Sequence, residues 1–382
     1  MIRNLVLRPG TLNWVLCFAL LICFMTQSAF AADQAGTPVT YRGIAISMYK
    51  RPTQDDFTKI RSWGVNFVRL VIQADPEHGN YDSIYLPDGV TPNEAAFANL
   101  DKLVALAAKN RIAVDICLLT FPGVLNHGIW RDYRYWDQLE KLWVFIATRY
   151  RNIPAVVAYE LMNEPRLVKD EGGILGRLEL WNGSWEFPDD WKNTPKDYFG
   201  LVERIGQAIN RIDPDKMVIV PVLGSWGNPI NFKWMRPVNV QNVVYTFHMY
   251  IPNAFGDSGK LGRPVVSYDS TKSRAVVIDA MENARRFAEK YKARIFVGEL
   301  GLPYYTEGMG AASWLRDVLG YIEQQGWSWS YWIYSIPFRD PEIVLGAKGD
   351  LEKHEDSERL TVLKQYWKLN STNQTGNVNV RD

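Results

Sequence analysis

Beyond Tyr41 the chain alternates two textures. Short runs of apolar, often β-branched residues are separated by longer stretches whose apolar positions return every three or four residues, the spacings of buried strands and amphipathic helices. Eight short runs stand out, at residues 43–47, 67–73, 112–119, 156–162, 217–222, 243–248, 294–299 and 328–334. Helical periodicity fills 53–63, 93–109, 135–149, 196–212, 272–291, 311–325 and 357–369. A strand that is followed by a helix and then another strand builds a parallel sheet, and eight such units predict closure. The fold class expected is therefore α/β, a (β/α)8 TIM barrel in a single domain.

Two stretches break the rhythm. Residues 166–195, after the fourth run, are rich in Gly, Trp, Asp and Glu and lack a period; residues 251–269, after the sixth, read the same way. Both are expected to be enlarged βα loops at the C-terminal face of the barrel, the end at which such folds build their sites. The two termini depart as well. Arg3 and Arg8, an apolar run at 12–25 and Ala29-Phe30-Ala31 have the layout of a signal peptide cleaved after Ala31. That apolar run is shorter than the roughly 20 residues that span a bilayer, and the bulky Ile22 before Cys23 argues against lipoprotein processing. Residues 1–31 are thus expected to be a leader, 32–369 the barrel domain and 370–382, polar and without period, a disordered tail. The mature chain is expected to be secreted or periplasmic and free of the membrane.

Composition narrows the partners. With 43 basic and 42 acidic residues and a net charge of +1, no basic run offers a footing for nucleic acid. Cys117 alone remains beyond the leader, so no internal disulfide is expected. His78, His127, His248 and His354 lack metal-ligand spacing, and neither a metal nor an organic cofactor is expected. The 13% aromatic content, with 15 Trp, suits a cleft in which the flat faces of sugar rings stack on indoles, although most of these side chains must be core. The partner expected is a polysaccharide or oligosaccharide, bound by a monomer.

Hydrolysing a glycosidic bond needs a proton for the departing oxygen and a carboxylate to meet the positive charge that develops on the sugar carbon. Carboxyls able to do this should end barrel strands. Glu164 closes an apolar run in Tyr159-Glu160-Leu161-Met162-Asn163-Glu164-Pro165, and Glu299 closes Ile295-Phe296-Val297-Gly298-Glu299. A single strand-terminal Glu serves as well for a rim salt bridge or a helix cap; a pair on strands four and seven points to catalysis.

With these residues in place, the stretch from about Tyr41 to Trp332 resembles glycoside hydrolase family 5, a cellulase-like family of retaining TIM barrels. Its most specific piece is Asn163-Glu164-Pro165. The resemblance implies that Glu164 is the acid/base, that Glu299 is the nucleophile and that Asn163 binds the sugar 2-hydroxyl. It further implies that Arg69, in Phe67-Val68-Arg69-Leu70, keeps the nucleophile ionised, that Tyr250 reaches the nucleophile and that His248 lies near the acid/base or substrate. Trp332, in Ser330-Tyr331-Trp332-Ile333, would lie under the sugar at the point of cleavage. Each has a plainer alternative, an ion pair for Arg69, a satisfied core histidine for His248 and packing for Tyr250 and Trp332; it is their joint order along the chain that favours function.

One departure concerns strand three. The family usually carries a histidine there ahead of Pro-Gly, whereas this chain reads Asp115-Ile116-Cys117-Leu118-Leu119-Thr120-Phe121-Pro122-Gly123, with His127 a few residues later. Of the loop tryptophans, Trp226 is expected to be a sugar platform, while Trp130, Trp181, Trp185 and Trp234 are open between platform and packing. The implied activity is retaining hydrolysis, foremost of internal β-1,4 bonds in a glucan. A β-mannanase is the alternative within the family, and a non-catalytic carbohydrate-binding barrel is the alternative of another class.

Overall fold

Strand by strand, the apolar runs become a closed parallel barrel in sequential order, β1 pairing with β2 and so on around to β8, which pairs back with β1. The strands are β1 (Arg42–Ser47), β2 (Phe67–Gln73), β3 (Ala113–Thr120), β4 (Val156–Glu160), β5 (Met217–Pro221), β6 (Val243–Met249), β7 (Arg294–Leu300) and β8 (Ser328–Tyr331). The main helices are α1 (Gln54–Ser62), α2 (Glu94–Lys109), α3 (Tyr133–Tyr150), α4 (Tyr198–Asn210), α5 (Ser270–Tyr291), α6 (Ala311–Gln324) and α7 (Glu358–Trp367). The computed structural model describes residues 39–74, 83–86, 88–89, 91–124, 127–166, 189–256, 264, 266–303, 306–334 and 356–372. The leader expected at 1–31 lies outside these residues.

Why these segments adopt these forms is legible locally. The strands are buried on both faces, as apolar runs between a barrel interior and a ring of helices must be. Six of the seven helices start at a side-chain cap, Thr53, Asn93, Asp132, Asp197, Asp269 or Ser357, whose oxygen accepts from an otherwise unpartnered N–H of the first turn. Thr53 and Asp56 complete a reciprocal capping box. Between β5 and β6 a short 3-10 run, Pro229–Trp234, takes the place of a longer helix.

Closure of the ring is an aromatic matter. Trp367 of α7 stacks on Trp63 at 6.1 Å and on Trp329 of β8 at 6.1 Å, and its indole N–H donates to the Gly43 carbonyl at 3.3 Å. Only glycine fits at 43, because a Cβ there would lie 2.6 Å from the Phe67 carbonyl oxygen. Beyond α7, Leu369–Thr372 forms one more helical turn, and the Asn370 amide donates to the Gly64 carbonyl at 2.8 Å. The described chain ends at Thr372, three residues into the tail expected at 370–382; 373–382 lie outside the described residues.

The connections after β4 and β6 are long, as expected, from Glu160 to Tyr198 and from Met249 to Ser270. Those after β2 and β8 are long too, from Gln73 to Glu94 and from Tyr331 to Glu358. β4 and β8 stop short of the ends read from apolarity. Past β4 the backbone N–H groups of Leu161 and Asn163 still donate to the Ile219 and Leu118 carbonyls, and the chain then turns at Glu164, whose φ of 43° is left-handed.

Candidate active site

β2, from the middle of the strand, and the C-terminal ends of β4, β6 and β7 bring polar side chains to one place in the barrel. Arg69, the third residue of β2, points inward and is wholly buried. Its Nη1 donates to Glu299 Oε1 at 2.7 Å, its Nε and Nη2 donate to the two Glu160 oxygens at 2.7 Å each, and Nη2 also donates to Asn163 Oδ1 at 2.8 Å. Burial opposes its charge, and Cys117, Glu160 and Glu299 together outweigh that, so its pKa stands well above the ordinary value. Glu160 shows the mirror image, for burial would raise its pKa and Arg69 brings it below the usual carboxylate range.

Glu299 is held from two further sides. Tyr250 donates its hydroxyl to Oε2 at 2.6 Å, and His248 Nδ1 lies 3.3 Å from the same oxygen. Tyr250 stays a phenol, since burial and then the charge of Glu299 push its pKa well up. On the other side of His248, Nδ1 lies 2.8 Å from Glu164 Oε1. Gly227, at φ +59°, makes room for that imidazole: a Cβ at 227 would come within 2.9 Å of the His248 ring.

Glu164, His248 and Glu299 each offer one ligand atom within 4.8 Å of one another. Among the described residues this is the group that could reach a shared cation; with Arg69 already on Glu299, it is equally a pair of carboxyls bracketing a space the size of one reacting bond. The left-handed turn at Glu164 aims its side chain away from the strand direction and toward β6.

Of the expected site residues, Glu164, Glu299, Arg69, Asn163, His248 and Tyr250 thus form one connected hydrogen-bonded group. Trp332 lies just past β8, 9% exposed, against Ala45, Val71, Cys117, Ile333 and the partly buried Leu119. This is the strand-three wall, and it is apolar: Cys117 is a buried thiol with its pKa pushed up, first by burial. His127 sits at φ 56° on the neighbouring loop, with its pKa lowered by burial and then by Arg131 and Arg166. Trp226 is 51% exposed, and the Arg166 guanidinium covers one face of its ring at 3.9 Å. Arg166 also reaches Glu164 Oε2 at 3.5 Å. Trp130, by contrast, is core, packed near Tyr198, and Trp234 is half-buried beneath Lys233 at 4.0 Å. Trp181 and Trp185 lie outside the described residues.

The sequence profile of the cellulase family, glycosyl hydrolase family 5, matches residues 32–336. The chain belongs to glycosyl hydrolase family 5. Cellodextrinase A of Ruminococcus flavefaciens is 26% identical over 299 residues, 73% of this chain and 79% of that protein. Endoglucanase B of Acetivibrio thermocellus is 26% identical over 176 residues, 43% of this chain and 30% of that one. In fold, a hyperthermophilic endo-β-1,4-glucanase solved with substrate superposes with a TM-score of 0.62 at 19% identity, covering 78% of this chain and 90% of that one. Thermotoga maritima Cel5A with cellobiose gives 0.63 at 20% identity, covering 88% and 99%.

As a family 5 member the protein is a glycoside hydrolase with a polysaccharide substrate. No helix among the described residues is long and apolar enough to cross a membrane. Within this site, reading for motifs missed Glu160, Asp115 and Arg166. Charged residues at 115 and 160 inside strands that are otherwise apolar were the available signal, because a charge in a strand buried on both faces must have a partner.

Proposed function

We propose that this family 5 protein is a retaining hydrolase that cuts internal β-1,4 bonds of a glucan. Glu299 attacks the anomeric carbon while Glu164 gives its proton to the departing oxygen; the C–O bond to the leaving sugar breaks as the bond to Glu299 forms. Glu164, now a carboxylate, takes a proton from water, whose oxygen displaces Glu299 from the sugar and restores both carboxyls with the anomeric configuration retained. Arg69 and Tyr250 hold the two Glu299 oxygens in register, His248 orients Glu164, Asn163 meets the sugar 2-hydroxyl, Trp332 underlies the sugar and Trp226 extends the cleft.

The observation that carries this reading is the spacing of Glu164 and Glu299, whose nearest functional atoms fall within 4.8 Å. Retaining pairs stand about 5–5.5 Å apart, whereas an inverting pair stands about 6.5–9.5 Å apart to admit a water. The catalytic roles are supported by that distance and by the shared His248. The leader at 1–31, secretion or periplasmic export, a barrel domain ending near 369 and a monomeric state belong to the same proposal.

Reducing-sugar release tests it, using carboxymethylcellulose, barley glucan, galactomannan, xyloglucan and laminarin. Activity on the β-1,4 glucans is expected, with Glu164→Ala and Glu299→Ala each losing about 10³-fold or more, and the initial product formed with retained configuration by NMR. Preference for galactomannan would make it a mannanase instead. Silence of the wild type on every polymer, with sugars still binding, would return the reading to a carbohydrate-binding barrel.

A further inference from the structure

Beneath the site the barrel interior holds one more acid than its charges account for. Asp115, on β3, is wholly buried. Neither of its carboxyl oxygens accepts a well-formed hydrogen bond. What it faces is Glu160 of β4, through that residue's carboxyl and, less well aligned, its backbone N–H. Glu160 is itself fully committed, with both oxygens on Arg69 at 2.7 Å. The charged and titratable groups around Asp115 are therefore Arg69 from β2, Cys117 from its own strand and Glu160 from β4, with His248 of β6 and Glu299 of β7 one step farther along the same network.

Counting charge gives one buried cation, Arg69, against three carboxyls, Asp115, Glu160 and Glu299. Two of them touch the guanidinium and one does not. Two ionised carboxylates cannot face each other in a water-excluded interior without a proton between them. We propose that Asp115 is a positioning residue which enters the barrel as a carboxylic acid and donates its proton to Glu160, so that Glu160 anchors Arg69, and Arg69 in turn fixes Glu299 and Asn163, without a third negative charge competing for the cation. Burial and then the charge of Glu160 push the Asp115 carboxyl well above the usual range, in the same direction. This rests on the reading of Glu299 as nucleophile only for its kinetic consequence; the protonation itself is independent of it.

The sign of the linkage supplies the test. A carboxyl whose folded pKa is raised takes up a proton on folding once the pH exceeds the ordinary aspartate value of about 3.9, so its cost to stability grows as pH rises toward the folded pKa. Asp115→Asn keeps the shape and has no such cost. Its melting temperature minus that of the wild type is expected to climb between about pH 4 and pH 8; a flat or falling difference would mean that Asp115 is ionised and would overturn the proposal, whatever the enzyme's activity.

Kinetics adds the second arm. The acidic limb of kcat/KM against pH is expected to coincide in wild type and Asp115→Asn, both neutral at 115. Glu160→Gln removes a real anion from Arg69, leaves more of the cation for Glu299 and moves that limb to lower pH by about one unit. A comparable downward move in Asp115→Asn would count against a neutral Asp115. Should Asp115→Asn fail to fold, infrared spectra decide: a protonated-carboxyl C=O band must persist at neutral pH in the double variant Glu164→Gln/Asp213→Asn, which removes the acid/base proton and, among the described residues, the other aspartate whose carboxyl burial pushes up, and its absence there would sink the proposal.

Discussion

Among the described residues two arginines are wholly buried, Arg69 on β2 and Arg359 on α7, and they are used differently. Arg69 sits inside the ring and spends four hydrogen bonds on Glu160, Glu299 and Asn163. Arg359 sits outside it, pairing with Glu307 and donating to the Leu302 carbonyl at 2.7 Å and the Tyr331 hydroxyl at 3.2 Å. That set staples the last helix to the segment after β7, and Glu307 in turn accepts from the Glu358 backbone N–H. Both are buried and ion-paired, Arg69 with two carboxylates and Arg359 with one; what differs further is where the partner carboxylate leads. Glu307 leads back to the first residue of the same helix, whereas Glu299 leads to the barrel mouth and to a second carboxyl across His248. A buried charge marks a site only when its partner is shared with something that can bind.

Replacing each arginine by methionine breaks that equivalence most sharply. Removing one side of a buried pair costs about 3–5 kcal/mol because the other charge is left uncompensated, so Arg69→Met and Arg359→Met should lose comparable stability in urea titrations. In kinetics they should part. Arg69→Met is expected to lose kcat/KM by about 10²-fold or more, since the orientation of Glu299 goes with it, whereas Arg359→Met, assayed where it is folded, should keep the wild-type kcat. Equal kinetic losses would mean that Arg69, too, is only a staple.

The next largest effect sharpens the Arg69 side alone. Tyr250→Phe deletes one of the donors on Glu299, and a hydrogen bond to a charged group is worth about 1.5–3 kcal/mol. An order-of-magnitude fall in kcat/KM with an unchanged melting temperature is the expected result; a fall in stability without a kinetic change would make Tyr250 a packing residue. Smallest is Trp226→Ala. With one ring face under Arg166 and about half of the side chain exposed, it should raise KM for long oligosaccharides by several-fold, within the about 0.5–1.5 kcal/mol of an aromatic contact, and leave kcat on a short substrate alone.

Much of the fold could be read from periodicity. β2 has the expected bounds, 67–73, and the other strands fall within a few residues of theirs, because a parallel strand buried on both faces writes a continuous apolar run. Glu164 and Glu299 could be picked out for a related reason: each closes an apolar run with a charge, and although either alone would serve for a salt bridge or a cap, the structure brings both to His248; their catalytic roles are part of the proposal. Three things were not legible. Trp130 looks like any loop tryptophan until the chain folds it against Tyr198, and loop sequence carries no periodic signal to say which way a side chain turns. The turn of the chain after β4 uses a left-handed Glu164, which apolarity cannot encode. Asp115 and Glu160 were not singled out, although a charge inside a strand buried on both faces calls for a partner.

The stack of Trp63, Trp367 and Trp329 also bears on time. The contacts that seal the ring join positions very far apart in sequence: Tyr41 N–H reaches Ser328 Oγ across 287 residues, and Trp367 reaches Gly43 across 324. Contacts of such separation form late and slow folding. As the chain leaves the ribosome, β1 has only β2 beside it, and its other edge stays open until β8 (Ser328–Tyr331) has been synthesised. A chain cut just before Asn370 would lose little area, yet it would lose the amide that ties this seam to the turn at Gly64.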